Sequence, residues 1–140
     1  ALVDLADLQL LSFDEARPKL KVALRSGDWA KRYWAAMVCT AFGERAADLA
    51  DEVAPLLEDD KAIVRLRAVE FLGRIGRIDP QAVLAEIVNT TSDAVLATEA
   101  LNSVVWFRDH FSGRHPVQRS DFQPSAKGGD ISDRLHYLSD

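Results

Sequence analysis

The sequence predicts an all-α fold in which about three helix pairs stack as a right-handed α-α superhelix. The main observation is a segment that recurs about every 33 residues. Ala35, Ala68 and Ala100 follow one another at nearly equal intervals, and Arg32 and Arg65 keep the same spacing as the first two alanines. Apolar residues inside each copy follow helical spacing. Because one helix pair cannot bury its apolar face alone, this period indicates a solenoid.

Composition limits the classes of function. The chain has 140 residues, of which 48% are hydrophobic, and no apolar run is long enough to span a bilayer. There are 22 acidic and 17 basic side chains, giving a net charge of −5. This balance disfavours a bulk electrostatic interaction with nucleic acid or with an anionic membrane. A single cysteine excludes an internal disulfide framework and a multi-cysteine metal site.

The predicted organisation is a repeat region over residues 1–107 followed by an irregular tail over 108–140. An extra helix precedes the repeats, and the units are expected at about 14–43, 46–76 and 80–107. The tail is rich in glycine and proline, with a possible short helix near its end over residues 131–138. Since the chain opens without Met inside an apolar-periodic segment, it is expected to be a piece or mature end of a longer protein.

Each unit reads as helix A, a short turn and helix B. Asp28 is expected to cap the first helix B, which ends at Gly43. The pair Asp59-Asp60 is expected to cap the second, which ends before Gly76. The caps expected in the third unit are Asp79 with Pro80, and Ser92 or Asp93. Pro55 predicts a kink or a late start in the second helix A.

The recurring alanine and arginine positions have separate physical meanings. A small residue at Ala35, Ala68 and Ala100 allows close approach of helices in consecutive units. The guanidinium groups of Arg32 and Arg65 are expected to reach a carboxylate or helix-end carbonyl of the adjacent unit. Arg67 is expected to point outward. Ala97 occupies the arginine position in the third unit, so this arginine ladder is expected to end there.

The segment Asp60 to Ala68, with its Val64-Arg65 pair, resembles HEAT repeats of the short kind, with units of about 30 residues. A narrower resemblance is to the HEAT-like C-terminal extension of some bacterial sulfatases. It is carried by Arg32-Tyr33-Trp34-Ala35-Ala36, by Val64-Arg65 with Ala68 and Leu72, by Glu99-Ala100-Leu101-Asn102 and by Asp133-Arg134-Leu135-His136-Tyr137-Leu138.

The sulfatase resemblance implies a non-catalytic accessory domain of a sulfuric ester hydrolase whose catalytic domain is not in this chain. It also implies a periplasmic or secreted location. The alternative is a free-standing HEAT-repeat scaffold for protein-protein interaction. An enzymatic solenoid, such as a chromophore-lyase-like protein, is disfavoured because the sequence has no polar constellation suited to catalysis.

Candidate chemistry favours structural roles. Sulfatases use a cysteine followed four residues later by arginine, but here Cys39 is followed by Gly43, so a core thiol is expected. The histidines His110, His115 and His136 lack the i, i+4 spacing of metal ligands and are expected to be solvated. The carboxylates Asp59 and Asp60 are better explained as cap residues than as an acid and base. No catalytic residue, metal site or cofactor is predicted.

Two features are candidates for recognition of a partner, although a structural role is favoured for each. Trp29 at the start of a helix B is a candidate anchor if it lies partly exposed, but core packing of this aromatic segment is favoured. A basic band is a candidate contact for an anionic group, such as a sulfated sugar or an acidic protein loop, but a solvated face is favoured. The band comprises Arg65, Arg67, Arg74 and Arg77, continued by Arg108, Arg114 and Arg119.

Overall fold

A computed structural model describes residues 11–111 and 113–138 and confirms the all-α prediction. Within those residues the chain forms helices and connecting turns, with no strand. The α-helices are α1 (Phe13–Leu24), α2 (Trp29–Phe42), α3 (Ala50–Val53), α4 (Ala62–Arg74), α5 (Pro80–Thr90), α6 (Ala94–His110) and α7 (Gly129–Tyr137). The 3-10 helices are Gly43–Leu49, Ala54–Glu58 and Arg119–Asp121.

The chain divides into two compact units, one up to Ile78 and the other from Asp79. The predicted boundary between repeats and tail, at 107/108, stays a prediction. The extra helix predicted over residues 1–13 lies mostly outside the described residues, since these begin at residue 11.

In the unit up to Ile78, α1 and α4 both pack against α2. Phe13 and Phe42 meet edge to face, with ring centroids 5.5 Å apart. The recurring alanines Ala35 and Ala68 are fully buried, as expected for positions where helices approach closely. The second helix A is broken into a 3-10 turn, the short α3 and the 3-10 helix Ala54–Glu58. Pro55 lies in the first turn of this last element, so the second helix A is interrupted near the proline, for which a kink or a late start was predicted.

Most of the predicted helix caps are confirmed. The side chain of Asp28 accepts a hydrogen bond from the Ala30 amide at 3.0 Å, and α2 ends at Gly43, whose φ is 64°. Asp79 caps α5, and Asp93 caps α6. These side chains satisfy amides that open a helix and have no partner within it.

The predicted cap of α4 requires a correction. The N-cap residue is Lys61, and its side chain makes no capping hydrogen bond. Asp59 instead accepts a hydrogen bond from the Lys61 amide at 3.0 Å, so it shapes the turn before the helix. Asp59 and Asp60 both precede the N-cap residue, so neither is placed to cap the helix, and the Asp59 carboxylate also pairs with an arginine.

In the unit from Asp79, α5 packs against α6 and α7 packs against α6. Asn89 on α5 binds the tail through three hydrogen bonds: to the Asp121 carbonyl at 3.0 Å, from the Gln123 amide at 2.7 Å and from the Ser125 hydroxyl at 2.8 Å. Phe122 is buried beside them. Part of the irregular tail is therefore held against α5 by both hydrogen bonds and apolar burial.

Candidate interaction surface

An aromatic cluster lies at the start of α2. The Trp29 and Tyr33 rings meet edge to face, with centroids 6.4 Å apart, and Tyr33 meets Trp34 in the same way at 5.4 Å. Trp29 is 43% exposed, whereas Tyr33 and Trp34 are half-buried. Trp29 is therefore partly exposed, and the core packing that the sequence favours for this residue is not observed. Its contact with Tyr33 limits the orientations that the exposed indole can adopt.

Arg67 extends this cluster from the neighbouring helix α4. Its guanidinium lies over the Tyr33 ring, 5.4 Å from the centroid, and its Nη1 donates to Glu70 Oε1 at 2.8 Å. Burial alone would lower the pKa of Arg67, but the hydrogen bond and charge of Glu70, with a smaller contribution from Tyr33, outweigh it and raise that pKa. The arginine therefore stays charged while it packs on the aromatic ring.

The prediction that Arg67 points outward is wrong. Its side chain is only 16% exposed, because α4 packs against α2 and brings this face of α4 onto Tyr33. The i, i+3 spacing of Arg67 and Glu70 was an available signal for their ion pair. The contact with Tyr33 had no such signal, since it depends on the packing of two helices that belong to different repeats.

Arg32 forms the bridge between repeats that the sequence predicts. Its Nε donates to Asp59 Oδ2 at 2.6 Å and its Nη2 to Asp59 Oδ1 at 3.2 Å, while Nη1 donates to the Ser26 carbonyl at 2.8 Å. The Arg32 and Asp59 side chains are 17% and 5% exposed. The hydrogen bond to Asp59 is the main cause of the raised pKa of Arg32. This pair joins the first repeat to the second.

Asp59 is also contacted by Arg65, whose Nη1 donates to the Asp59 carbonyl at 2.5 Å. Burial by itself would raise the pKa of Asp59, but hydrogen bonds from Arg32 and the Lys61 amide, with the charges of both arginines, lower it. The bond from Arg65 lies within one predicted repeat. The prediction that Arg65 bridges two repeats is therefore not confirmed.

The remaining arginines of the predicted basic band have separate surroundings. Arg74 and Arg77 are exposed at and after the end of α4. Arg114 is exposed and lies 5.9 Å from the Phe111 ring centroid. Arg108 pairs with Asp109 at 3.0 Å, and Arg119 donates to the Phe122 carbonyl at 3.2 Å. Of the candidate residues, the structure brings together Trp29 and Arg67 through Tyr33.

His115 corrects the expectation that all three histidines are solvated. It is only 8% exposed, and its ring meets those of Phe107 and Phe111 at 5.8 and 5.4 Å. Gln81 holds its carbonyl with a hydrogen bond of 3.1 Å. His115 Nδ1 lies 3.5 Å from Asp79 Oδ1. The glycine and proline pattern identified an irregular segment but could not show that it packs on α6.

The Cys39 thiol is fully buried, which confirms the prediction of a core thiol. Burial, with a smaller contribution from the charge of Asp48, raises the pKa of Cys39 to about 12. Only the thiolate is an effective nucleophile, so this group is chemically inert in the folded protein.

In the ranges 11–111 and 113–138 no group of three or more His, Cys, Asp or Glu residues could hold a metal ion. None of the helices described there is long and apolar enough to cross a membrane.

The buried thiol predicts low reactivity in the folded chain. At pH 8, Cys39 should react with an aromatic disulfide reagent only after guanidinium unfolds the protein, which is measured by release of the coloured thiolate. Rapid labelling without denaturant would contradict the burial.

The same thiol gives a pH dependence of stability. Because folding raises the Cys39 pKa from about 9 to about 12, the contribution of this thiol to stability is present below pH 9 and is lost as the pH rises toward 12. Cys39→Ala should therefore show a smaller loss of stability over this range.

Helix pairs with repeated alanine and arginine positions define a helical-repeat protein. The family model for HEAT repeats matches residues 17–104, more than half of the chain, and this chain belongs to the HEAT-repeat family. No significant match was found to a curated protein or to a solved structure. HEAT-repeat domains are typically non-catalytic and commonly mediate protein interactions.

Proposed function

We propose that this chain is a non-catalytic scaffold that binds a protein partner through an aromatic surface formed by Trp29, Tyr33 and Arg67. The observation that carries the proposal is the partial exposure of Trp29 in an orientation restricted by Tyr33. Tryptophan, tyrosine and arginine are the residues most enriched among those that dominate binding energy at protein interfaces. Because Arg67 is already packed on Tyr33, little side-chain freedom is lost when a partner covers this surface.

Charged residues near the ends of helices complete the proposed contacts. Arg74 lies in the last turn of α4 and Arg77 lies after its end, and both are exposed. Their positive charge is expected to attract an acidic segment of the partner. Arg114, in the other compact unit, is proposed as a separate contact. Charges of this kind increase the rate of association more than the affinity, so the aromatic surface is expected to supply most of the binding energy.

Peptides selected from a random library on the immobilised chain test this proposal. A selected peptide should lose about 30-fold in affinity for the Trp29→Ala variant, since removal of an anchoring tryptophan costs about 2 kcal/mol. Val22→Ala is the matched control, because Val22 is 74% exposed on α1 and outside the surface. Isothermal titration calorimetry measures both. The proposed surface would be refuted if a selected peptide bound the wild-type chain and Trp29→Ala with equal affinity, or if no peptide bound the chain saturably.

We further propose that the natural partner is the catalytic domain of a bacterial sulfatase in the same polypeptide, which would place the protein in the periplasm or outside the cell. The resemblance of Arg32 to Ala36 and of Glu99 to Asn102 to such extensions supports this. Ala35 and Ala36 are buried core residues, so the shared motif reports packing more than recognition. The reading frame upstream of Ala1 decides the matter: a cysteine in a Cys-x-(Pro/Ala)-x-Arg context supports the proposal, and an unrelated upstream sequence leaves the free-standing scaffold.

A further inference from the structure

The Arg32 and Asp59 pair provides an internal template for carboxylate binding. One edge of the Arg32 guanidinium, Nη1, is fixed by the Ser26 carbonyl six residues earlier. The other edge, Nε and Nη2, holds both oxygens of the Asp59 carboxylate. Two parallel hydrogen bonds of this kind give arginine its preference for planar carboxylates.

Arg65 repeats the first half of this arrangement. It occupies the position equivalent to Arg32 in the next repeat, and its Nη1 donates to the carbonyl of Asp59, again six residues earlier. This bond fixes the guanidinium of a half-buried side chain. Among the described residues of its own unit, 11–78, Arg65 has no other hydrogen bond or ion pair. Its Nε and Nη2 edge therefore lacks the carboxylate that the corresponding edge of Arg32 holds.

We propose that the Nε and Nη2 edge of Arg65 binds the carboxylate of an aspartate or glutamate side chain presented by a protein partner. The inference rests on the proposed function only in taking the partner to be a protein. Among neighbours in sequence, the Asp59 carboxylate is already paired with Arg32, and the exposed Lys61 and Asp60 offset each other in charge. Because the carbonyl of Asp59 holds the guanidinium in place, little of the entropy of Arg65 is lost on binding.

Nitrogen-15 NMR of the arginine Nε–Hε groups in the intact chain tests this directly. Sodium acetate is the probe, with sodium chloride and sodium sulfate at matched ionic strength as references. Acetate should shift the Arg65 Hε resonance downfield in a saturable manner. The Arg32 Hε is the internal control and should not respond, because its edge is occupied by Asp59. Arg65→Lys keeps the charge but loses the paired donors, so its spectrum should assign the resonance and show no saturable response.

A second arm identifies the source of the carboxylate. A blocked Ala-Glu-Ala peptide should shift Arg65 Hε as acetate does, and Ala-Gln-Ala should not. An Arg65 response to acetate no larger than that to chloride would overturn the site, and a stronger response to sulfate would overturn its preference for carboxylates. A response to acetate but not to the glutamate peptide would overturn the protein source. Because neither probe contacts Trp29, these outcomes are independent of the peptide selection that tests the aromatic surface.

Discussion

Asp59→Ala should lower the free energy of unfolding by about 3 kcal/mol, because it leaves a half-buried guanidinium without its paired acceptor. The substitution removes both hydrogen bonds to Arg32 and the acceptor of the Lys61 amide. Arg32 would then keep only the Ser26 carbonyl as a partner within the described residues. The side chain of Asp59 is 5% exposed, so water can replace it only if the turn before α4 rearranges.

Urea denaturation followed by circular dichroism measures this loss as a lower midpoint at unchanged slope. Asp60→Ala is the matched control: it removes the same group from the neighbouring, exposed residue and should change stability by no more than about 0.5 kcal/mol. Asp59→Asn keeps the shape of the side chain and two of its acceptor sites, so it should fall between the two. If the Asp59 and Asp60 variants were equally stable, the bridge between repeats would contribute nothing measurable.

The same pair gives a pH dependence of known sign. Folding lowers the pKa of Asp59, so the unfolded state binds this proton more readily. The stability contributed by the pair is therefore present above the ordinary aspartate value of about 4 and is lost as the pH falls through the lowered pKa. Asp59→Ala should reduce the loss of stability on acidification, measured by urea denaturation at neutral and acidic pH.

The repeat period, with helical spacing inside each copy, predicted the all-α fold and the small-residue positions, and local sequence predicted several caps. Asp28, Asp79 and Asp93 act within two or three residues of their own position, so their roles follow from local chemistry. The burial of Ala35 and Ala68 follows because repetition of a small residue reflects repetition of a helix contact. The pairing of Arg32 with a carboxylate of the adjacent repeat was also predicted, but the same ladder position in Arg65 makes a bond within its own repeat.

The features that the sequence did not predict depend on contacts between segments that are distant in the chain. Arginine side chains are usually solvated, and only the packing of α4 on α2 places Arg67 on Tyr33. His115 lies in a segment rich in glycine and proline, and its burial requires Phe107 and Phe111 from the preceding helix and turn. The open edge of Arg65 could not be inferred without knowing which edge of Arg32 holds Asp59. The candidate interaction surface was therefore predicted by residue type but not by arrangement.

Ala68→Leu should destabilise the chain by about 1–3 kcal/mol through overpacking, since its side chain is fully buried on α4, which packs against α2. Ala41→Leu is the matched control, because Ala41 is exposed on α2 and leucine is nearly as good a helix former as alanine. Urea denaturation should show a lower midpoint for the Ala68 variant and little change for the control. If both variants kept the wild-type midpoint, helix spacing would not depend on this small side chain, and the alanine period would lose its physical basis as an indicator of the stack.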